Sequence, residues 1–277
     1  MSLASILLGI PFSSRYSEVV MSCVDDLTGR VALVTGGAGG IGGGAAAELA
    51  RRGAAVVVLD HAQAGPADAA RRLSGTTGAE LTGVAASVVD PVEVGAAVTA
   101  VLDRYGRLDI AVNAAGVPGP RGPVTGLTDA DWDLVVRTHL YGTMHVTRAV
   151  LPSMLAAGWG RIVNITSSAA WDPGPGLTPY AAAKAGITGF TRSVAAEVGQ
   201  RGVTVNCVAP GLTATPAVEA KWPDPEDQAA QTRRLGSVVP RFGRVGEIAV
   251  AVATLCLPSA AYTTGSTVHV NGGSYMP

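Results

Sequence analysis

The sequence predicts a doubly wound (Rossmann) α/β fold, in which helices cover both faces of a parallel seven-stranded sheet. Short apolar runs alternate with helical patterns, and a glycine-rich segment joins the first run to the first helical pattern. Of the 277 residues, 48% are hydrophobic and only 15% are charged. Such a composition suits parallel strands, because these strands are buried on both faces.

The individual elements are predicted from apolar periodicity and from the glycines and prolines that bound it. Strands are expected at residues 31–34, 54–59, 81–86, 110–112, 161–165, 203–208 and 267–270. Helices are expected at residues 41–52, 66–73, 91–105, 128–157, 179–198 and 247–257, the fourth of them bent near Pro152. No linker or internal repeat interrupts this series, so residues 27–277 are predicted to form a single domain.

The first 26 residues share no pattern with the rest of the chain. We expect them to form a disordered tail, or to precede a later start at Met21. Their longest apolar stretch, residues 3–12, is about half of the roughly 20 residues that cross a bilayer, and it lacks a basic leader. Neither a membrane protein nor a secreted one is therefore expected. The three widely spaced cysteines fit a reducing, cytoplasmic setting.

Charge and histidine spacing argue against two further classes of partner. The chain has 20 basic and 21 acidic residues, a net charge of −1, and no basic stripe for nucleic acid. Its four histidines form no cluster with ligand spacing, so no metal site is expected.

The glycine-rich segment from Gly36 to Gly42 is typical of a turn that holds a pyrophosphate. Glycines permit the turn and let the backbone approach the phosphates, while the following helix presents free N–H groups. A G-x-G-x-x-G match runs from Gly37 to Gly42, although in so glycine-rich a segment a plain turn is the alternative.

Asp60 refines the prediction of a dinucleotide site. It ends the second predicted strand, where a carboxylate accepts hydrogen bonds from an adenosine ribose and repels a 2′-phosphate. No fixed cation flanks this position, which favours NAD over NADP. The alternative is an aspartate that caps the next turn.

A second group of residues has the spacing of a proton-transfer site. Tyr180 and Lys184 are four residues apart on a predicted helix and share one face, so the ammonium could lower the pKa of the tyrosine. Ser167 follows the fifth strand at the sheet's carboxyl end, where its hydroxyl could bind a reacting oxygen. Thr166 and Ser168 are rival hydroxyls.

These motifs together resemble the short-chain dehydrogenase/reductase family. The matching features are Thr35-Gly36-x-x-x-Gly40-Ile41-Gly42, Asn113-Ala114-Ala115-Gly116, Ser167, Tyr180-x-x-x-Lys184 and Pro210-Gly211, in the family's order over residues 27–273. The resemblance selects Gly36, Gly40 and Gly42 as the turn glycines. It implies that Tyr180 is the acid/base, that Lys184 holds the nicotinamide ribose and lowers the tyrosine pKa, and that Ser167 polarises the substrate oxygen.

The resemblance also implies the rest of the cofactor groove. Asn113, Ala114 and Gly116 would line its adenosine side, with Ser87 and Val88 near the adenine, where relatives often have an aspartate at the serine position. Residues 210–213, namely Pro210, Gly211, Leu212 and Thr213, would cover the nicotinamide. The Thr213 hydroxyl would be available to the carboxamide or to a phosphate.

His139 is a departure from the family pattern. Relatives often have an asparagine there, which helps to hold a proton-relay water. Histidine is larger and can titrate, so the relay geometry changes. A packed helix residue with no part in the chemistry is the equal alternative.

Three loops should surround the substrate, at residues 117–127, 169–179 and 212–239. The third contains Pro216, Pro223 and Pro225, so it cannot be one regular helix, and it resembles a lid. Trp171 and Trp222 would be apolar walls of the pocket, or equally surface anchors or packing residues. No loop presents a clear arginine pair for a carboxylate, since Arg121 is alone in the first loop and Arg233 and Arg234 lie late in the third. This favours a neutral secondary alcohol or ketone.

The leading functional hypothesis is an NAD-dependent oxidoreductase that interconverts a secondary alcohol and a ketone. A lyase or epimerase of the same fold, or an NAD-binding regulatory protein with a weakened site, are the alternatives. A homotetramer is expected from the family resemblance.

Overall fold

The structure is a computed structural model that describes residues 26–277. Its main sheet has seven parallel strands in the order β3-β2-β1-β4-β5-β6-β9, which confirms the predicted fold class. The strands are β1 Val31–Thr35, β2 Ala55–Asp60, β3 Leu81–Ala85, β4 Ile110–Asn113, β5 Gly160–Ile165, β6 Val203–Pro210 and β9 Thr267–Val270; the short β7 Thr213–Ala214 and β8 Gly243–Arg244 pair separately. The predicted tail lies almost entirely outside the described residues.

The helices agree with the predicted series and differ mainly at their ends. They are α1 Gly40–Arg51, α2 Pro66–Thr77, α3 Pro91–Tyr105, α4 Asp129–Val136, α5 Gly142–Ala157, α6 Thr178–Val198, α7 Pro216–Lys221, α8 Pro225–Arg234 and α9 Val245–Cys256. The second helix, for example, continues four residues beyond the predicted end. It stops only where Gly78 adopts a left-handed conformation.

Two apolar cores separate the layers. On one face of the sheet, buried residues of α1, α2 and α9 pack against alternate strand residues such as Ala32 and Val34. On the other face, α3, α5 and α6 pack against Val31 and Leu33. Successive strand residues point to opposite faces, so every central strand is buried on both sides. The carboxyl ends of β1, β2 and β4 therefore meet at one edge, with Thr35 opposite Leu59 and Asn113.

The predicted helix at residues 128–157 is divided at a different place from the one expected. Residues Arg137–Tyr141 form a π-helical turn between α4 and α5, whereas Pro152 lies inside α5. The prediction that this helix is interrupted near Pro152 is therefore wrong, because the interruption lies at residues 137–141. A π-helical turn inserts extra backbone into a helix and is frequent at functional sites. Here it carries His139.

The predicted lid is a helical pair, which confirms that it is not one regular helix. Pro216 and Pro225 begin α7 and α8, at positions where a missing N–H costs little. The chain between these helices contains Pro223. Trp222 packs edge-on against Phe242 with ring centroids 6.0 Å apart, so this tryptophan serves as a packing residue.

Candidate active site

A cavity of about 710 Å³ opens at the carboxyl edge of the sheet, where β1, β2 and β4 end. The glycine turn, the end of β2, the segments after β3 and β4, and the start of the lid form its walls. Ligands in doubly wound sheets bind at such an edge, and a cavity of this size can hold a large part of a dinucleotide.

The backbone of the glycine turn selects the register that begins at Gly36. Gly36 has φ +63°, and a Cβ there would lie 2.7 Å from the Cα of Ala115. A Cβ on Gly42 would collide with the carbonyl oxygen of Gly36. Gly37 lies buried beneath the turn, where a Cβ would be 2.9 Å from a Val58 methyl group. The glycine at position 37 is thus needed for packing on β2, while Gly36 and Gly42 shape the turn itself.

Asp60 lies beside this turn and is bound to it. Its Oδ2 accepts a hydrogen bond from the Ala38 N–H at 3.1 Å, and its Oδ1 accepts one from the His61 N–H at 2.9 Å. The side chain is only 13% exposed and lines the cavity. Each carboxylate oxygen keeps a lone pair, so Asp60 both caps the turn and remains able to accept ribose hydroxyls.

Most of the other predicted cofactor residues line the same cavity. These are Gly36, Gly40, Ile41, Gly42, Ser87, Val88, Ala114 and Gly116. The cavity also contains residues that the sequence prediction missed, notably Thr138, Thr215 and Pro216. A Cβ on Gly40 would lie 2.7 Å from the Thr215 side chain, so the start of the lid closes directly over the glycine turn. In the sequence, Pro216 marks the start of α7, and this was the one signal that could have located the lid residues at this contact.

Asn113 and Thr213 have different surroundings from those expected. The Asn113 side chain is buried and donates to the Asn164 Oδ1 at 2.7 Å and to the Thr147 hydroxyl at 3.3 Å. It therefore links β4 to β5 and α5, and does not line the cavity. The buried Thr213 hydroxyl donates to the Gly211 carbonyl at 3.0 Å, so its proton is engaged and its oxygen keeps only the role of an acceptor. Pro210, Gly211 and Leu212 also lie outside this cavity, at the end of β6.

Tyr180, Ser167 and Lys184 are brought together at the ends of β5 and α6. The Lys184 ammonium lies 5.6 Å from the centroid of the Tyr180 ring and donates to the Ile165 carbonyl at 2.7 Å. The Ser167 hydroxyl interacts with the Tyr180 hydroxyl and lowers its pKa. The i, i+4 spacing on α6 and the register of β5 thus place all three groups in one cluster.

Of the two rival hydroxyls, Thr166 is excluded by its contacts. Its buried hydroxyl donates to the Lys184 carbonyl at 2.8 Å, which fastens β5 to α6. Ser168 supplies its carbonyl to the turn that follows, where the Trp171 N–H donates to it at 3.0 Å. Ser167 is the hydroxyl that faces the tyrosine.

The pKa values of Tyr180 and Lys184 differ from the expectation that the lysine lowers the pKa of the tyrosine. Burial raises the pKa of Tyr180 above its ordinary value, and Ser167 and Arg121 offset this only in part. Burial also lowers the pKa of Lys184 to about 8. In the cofactor-free protein the pKa of Tyr180 is therefore not lowered, because desolvation disfavours both the phenolate and the ammonium that would stabilise it.

His139 connects the cluster of Ser167, Tyr180 and Lys184 to the wall of the cavity. Its Nε2 lies 2.9 Å from the carbonyl oxygen and 3.2 Å from the amide nitrogen of Val117, which lines the cavity. Its ring meets the Tyr180 ring edge-on with centroids 5.3 Å apart. Burial, and then the charge of Lys184, lower the pKa of His139 to about 3. The imidazole is thus neutral at neutral pH, and within residues 26–277 its buried Nδ1 has no hydrogen-bond partner.

Comparison with known proteins agrees with this geometry. A family model described as Enoyl-(Acyl carrier protein) reductase matches residues 36–275. The short-chain reductase protein NovJ of Streptomyces niveus is 40% identical over 246 residues, which cover 88% of this chain and 93% of NovJ. The chain belongs to the short-chain dehydrogenase/reductase family.

Other similar proteins belong to the same short-chain dehydrogenase/reductase group. The 3-oxoacyl-(acyl-carrier-protein) reductase of Vibrio cholerae is 40% identical over 91% of this chain and 99% of its own length. The crystal structure of levodione reductase is 35% identical, with a TM-score of 0.83 over 89% of this chain and 97% of that chain. This short-chain dehydrogenase/reductase is accordingly an oxidoreductase that acts on CH–OH or carbonyl groups with a nicotinamide dinucleotide.

Two further features concern only the described part of the chain. No helix within residues 26–277 is long and apolar enough to cross a membrane. Over the same residues, no three His, Cys, Asp or Glu side chains are grouped so as to hold a metal ion.

Proposed function

We propose that this protein is an NAD-preferring dehydrogenase/reductase that interconverts a secondary alcohol and a ketone, with Tyr180 as the acid/base. The observation that carries the proposal is the cluster of Ser167, Tyr180 and Lys184, which His139 joins to a cavity lined by Asp60. A bound nicotinamide dinucleotide would supply the hydride acceptor or donor.

The protein's own groups can handle the proton and the substrate oxygen. The Tyr180 hydroxyl would donate its proton to the ketone oxygen, or accept one from the alcohol. The Ser167 hydroxyl would hydrogen-bond the same oxygen and keep it beside the tyrosine. Lys184 would stabilise the phenolate that results, since a cation near a phenolate lowers the phenol's pKa. That stabilisation requires Lys184 to be charged, which its pKa of about 8 allows at neutral pH.

Asp60 supports the preference for NAD. Its carboxylate lines the cavity, and among residues 26–277 the only other ionisable side chain along the cavity wall is His61. A 2′-phosphate would carry roughly two negative charges into contact with this carboxylate, and no arginine or lysine of the described chain lines the cavity to neutralise them. At about 5 Å this repulsion costs roughly 1.7 kcal/mol even in a water-like medium, or about 15-fold in affinity.

Initial rates with NAD and NADP across a panel of secondary alcohols, read as reduced nicotinamide, test the cofactor proposal. We expect kcat/KM to favour NAD by at least about 15-fold, and Asp60→Ala to reduce this ratio by a similar factor. Asp68→Ala, a change at an exposed acid outside the cavity, is the matched control. A preference for NADP in the unaltered protein would contradict the role of Asp60.

Tyr180→Phe tests the catalytic proposal, because it removes one hydroxyl and keeps the ring that packs on His139. We expect turnover to fall by at least about 100-fold, the usual contribution of a general acid/base, with unchanged NAD binding. Full turnover in this variant would rule out Tyr180 as the acid/base. No turnover in the unaltered protein on any alcohol or ketone, despite NAD binding, would favour a regulatory role.

A homo-oligomer, with a tetramer favoured, remains part of the proposal. Large apolar side chains are exposed on α4 and the adjoining π-helical turn, with Trp132 40%, Leu134 51% and Tyr141 50% exposed. Light scattering coupled to size exclusion tests it: we expect a mass near four times 27.8 kDa, and a monomer would contradict this part.

A further inference from the structure

The C-terminal segment, residues 271–275, touches the nicotinamide-side loop at residues 210–213. Gly211 N–H donates to the Val270 carbonyl at 3.1 Å, and a Cβ on Gly211 would lie 2.8 Å from the Cα of Asn271. The backbones therefore approach too closely for a side chain between them. The position of this loop at the end of β6 is set directly by the start of the C-terminal segment.

The same segment holds the end of the lid. The Val239 N–H donates to the Gly272 carbonyl at 2.9 Å, and a Cβ on Gly273 would lie 3.0 Å from a Val238 side-chain carbon. Val238 and Val239 are the last residues of the predicted lid, beyond α8. One end of the lid thus rests on the C-terminal segment, while its other end closes over the glycine turn through Thr215.

An aromatic contact joins the segment to the loop that carries Ser167. Trp171 stacks on Tyr275 with ring centroids 5.7 Å apart at 19°, and it meets His269 of β9 edge-on at 4.7 Å. Trp171 is one hydrogen-bonded turn beyond Ser167, since the Ala170 N–H donates to the Ser167 carbonyl at 3.0 Å. A displacement of Trp171 would therefore be transmitted to Ser167 over a short path.

The segment is itself a tight turn. The Asn271 amide donates to the Tyr275 carbonyl at 2.8 Å, and its Oδ1 accepts from the Gly273 N–H at 2.9 Å. The Ser274 N–H also donates to the Asn271 carbonyl at 3.2 Å. These bonds fix Tyr275 relative to Gly272, so the contacts to Trp171 and to the lid belong to one unit.

We propose that residues 271–275 position the active site, with Tyr275 holding Trp171 and thereby Ser167, while Gly272 and Gly273 hold the end of the lid. Trp171 is then a positioning residue and not a wall of the substrate pocket. The consequence for substrate rests on the proposed function, in which Ser167 binds the reacting oxygen. The consequence for the lid does not depend on that function.

A merely stabilising role would have different effects. No residue of the segment lines the cavity that we assign to the dinucleotide. Loss of Tyr275 should therefore raise the KM for the ketone by a larger factor than the dissociation constant of NAD, which the lid affects only through its far end at Thr215. A general loss of stability would affect both together.

The experiment compares Tyr275→Ala with Tyr275→Phe, which keeps the stacked ring, and with Tyr262→Ala, a matched change at a fully exposed tyrosine. Trypsin cleavage in the lid, after the exposed Lys221, Arg233 and Arg234, reports lid attachment without any turnover. We expect Tyr275→Ala to speed this cleavage and to raise the ketone KM, each about fivefold, the factor that loss of an aromatic pair produces. NAD affinity should change by a smaller factor than the ketone KM. Tyr275→Phe and Tyr262→Ala should match the unaltered protein in both measurements.

Wild-type cleavage rates in Tyr275→Ala, or equal defects in Tyr275→Phe and Tyr275→Ala, would overturn the proposal. If Tyr275→Ala does not fold, Trp171→Leu removes the same stack from the other side and is judged by the same two criteria. Failure of the proposed function can be distinguished from failure of this proposal. If the proposed function is wrong, no variant turns over an alcohol or a ketone, but the trypsin cleavage rates of the variants can still be compared.

Discussion

His139 should make the stability of this protein acid-sensitive to an unusual degree for one histidine. The ring is 4% exposed and lies near Lys184, and its pKa falls from 6.5 in the unfolded chain to about 3 in the folded protein. Below pH 6.5 the unfolded chain therefore binds a proton that the folded chain excludes. Because of this difference, the contribution of His139 is intact above about pH 6.5 and is lost progressively as the pH falls towards 3.

The expected size can be worked from these two pKa values. Between them each pH unit costs about 1.4 kcal/mol, so acidification from pH 7 to pH 4.5 should remove about 2.5 kcal/mol through His139 alone. His139→Asn removes the titrating group and keeps an amide that can bond to Val117. We expect this variant to lose about 2.5 kcal/mol less than the unaltered protein over the same interval.

Urea denaturation of the cofactor-free protein at pH 7 and pH 4.5, at one fixed protein concentration, measures the difference. His61→Asn is the matched control, because it makes the same substitution at a histidine whose side chain is 59% exposed. Equal losses in His139→Asn and the unaltered protein would refute the reasoning that burial and Lys184 keep His139 neutral. A neutral imidazole could take part in a relay only through its free Nδ1, which stays a prediction.

Three further predictions concern the turn, the core and the charge near the tyrosine. Gly42→Ala should weaken NAD binding at least about tenfold, because the new Cβ would collide with the Gly36 carbonyl oxygen. The control is Gly95→Ala in α3, whose Cβ would meet no atom within 4 Å. This change should stabilise the protein by about 0.5–1 kcal/mol in thermal denaturation. Asn113→Ala should lower the free energy of unfolding by about 1–3 kcal/mol, because it leaves the buried side-chain Oδ1 of Asn164 without its donor, and it should leave NAD affinity unchanged. A loss of NAD affinity without a loss of stability would contradict the structural role of Asn113. In ketone reduction, where Tyr180 is the acid, Arg121→Gln should move the alkaline limb of the kcat/KM pH profile to higher pH, because Arg121 lowers the pKa of Tyr180. An unmoved limb would show that the charge of Arg121 does not act on Tyr180.

Much of the fold was predictable because its signals are local. A buried parallel strand is an apolar run, a turn over a phosphate needs glycine, and a helix end needs a cap, so seven strands and their order of appearance could be inferred from the printed residues. The helix after β5 was likewise predicted within one residue of its start, and its i, i+4 spacing already placed Tyr180 and Lys184 on one face.

The roles of polar residues were less predictable, because a hydrogen bond joins groups that are distant in the chain. The sequence predicts that Asn113 contacts the cofactor, whereas in the structure its side-chain amide donates to the Oδ1 of Asn164, 51 residues away. The hydroxyls of Thr213 and Thr166 similarly donate to backbone carbonyls. Trp171 gave no sign in the sequence of its contact with Tyr275, because the two meet only through the pairing of β9 with β6.

The printed residues alone are enough to predict the fold class, the glycine turn, the acid at position 60 and the Tyr180–Lys184 pair, since each depends on spacing within one or two adjacent elements. Three properties could be found only from the folded protein: Gly37 packs on β2, the Thr166 hydroxyl is bonded to α6, and His139 and Lys184 are buried together. Those properties depend on burial and on neighbours from separate strands and helices. The same burial raises the pKa of Tyr180, so the pairing of residues was visible in the sequence while its electrostatic consequence was not.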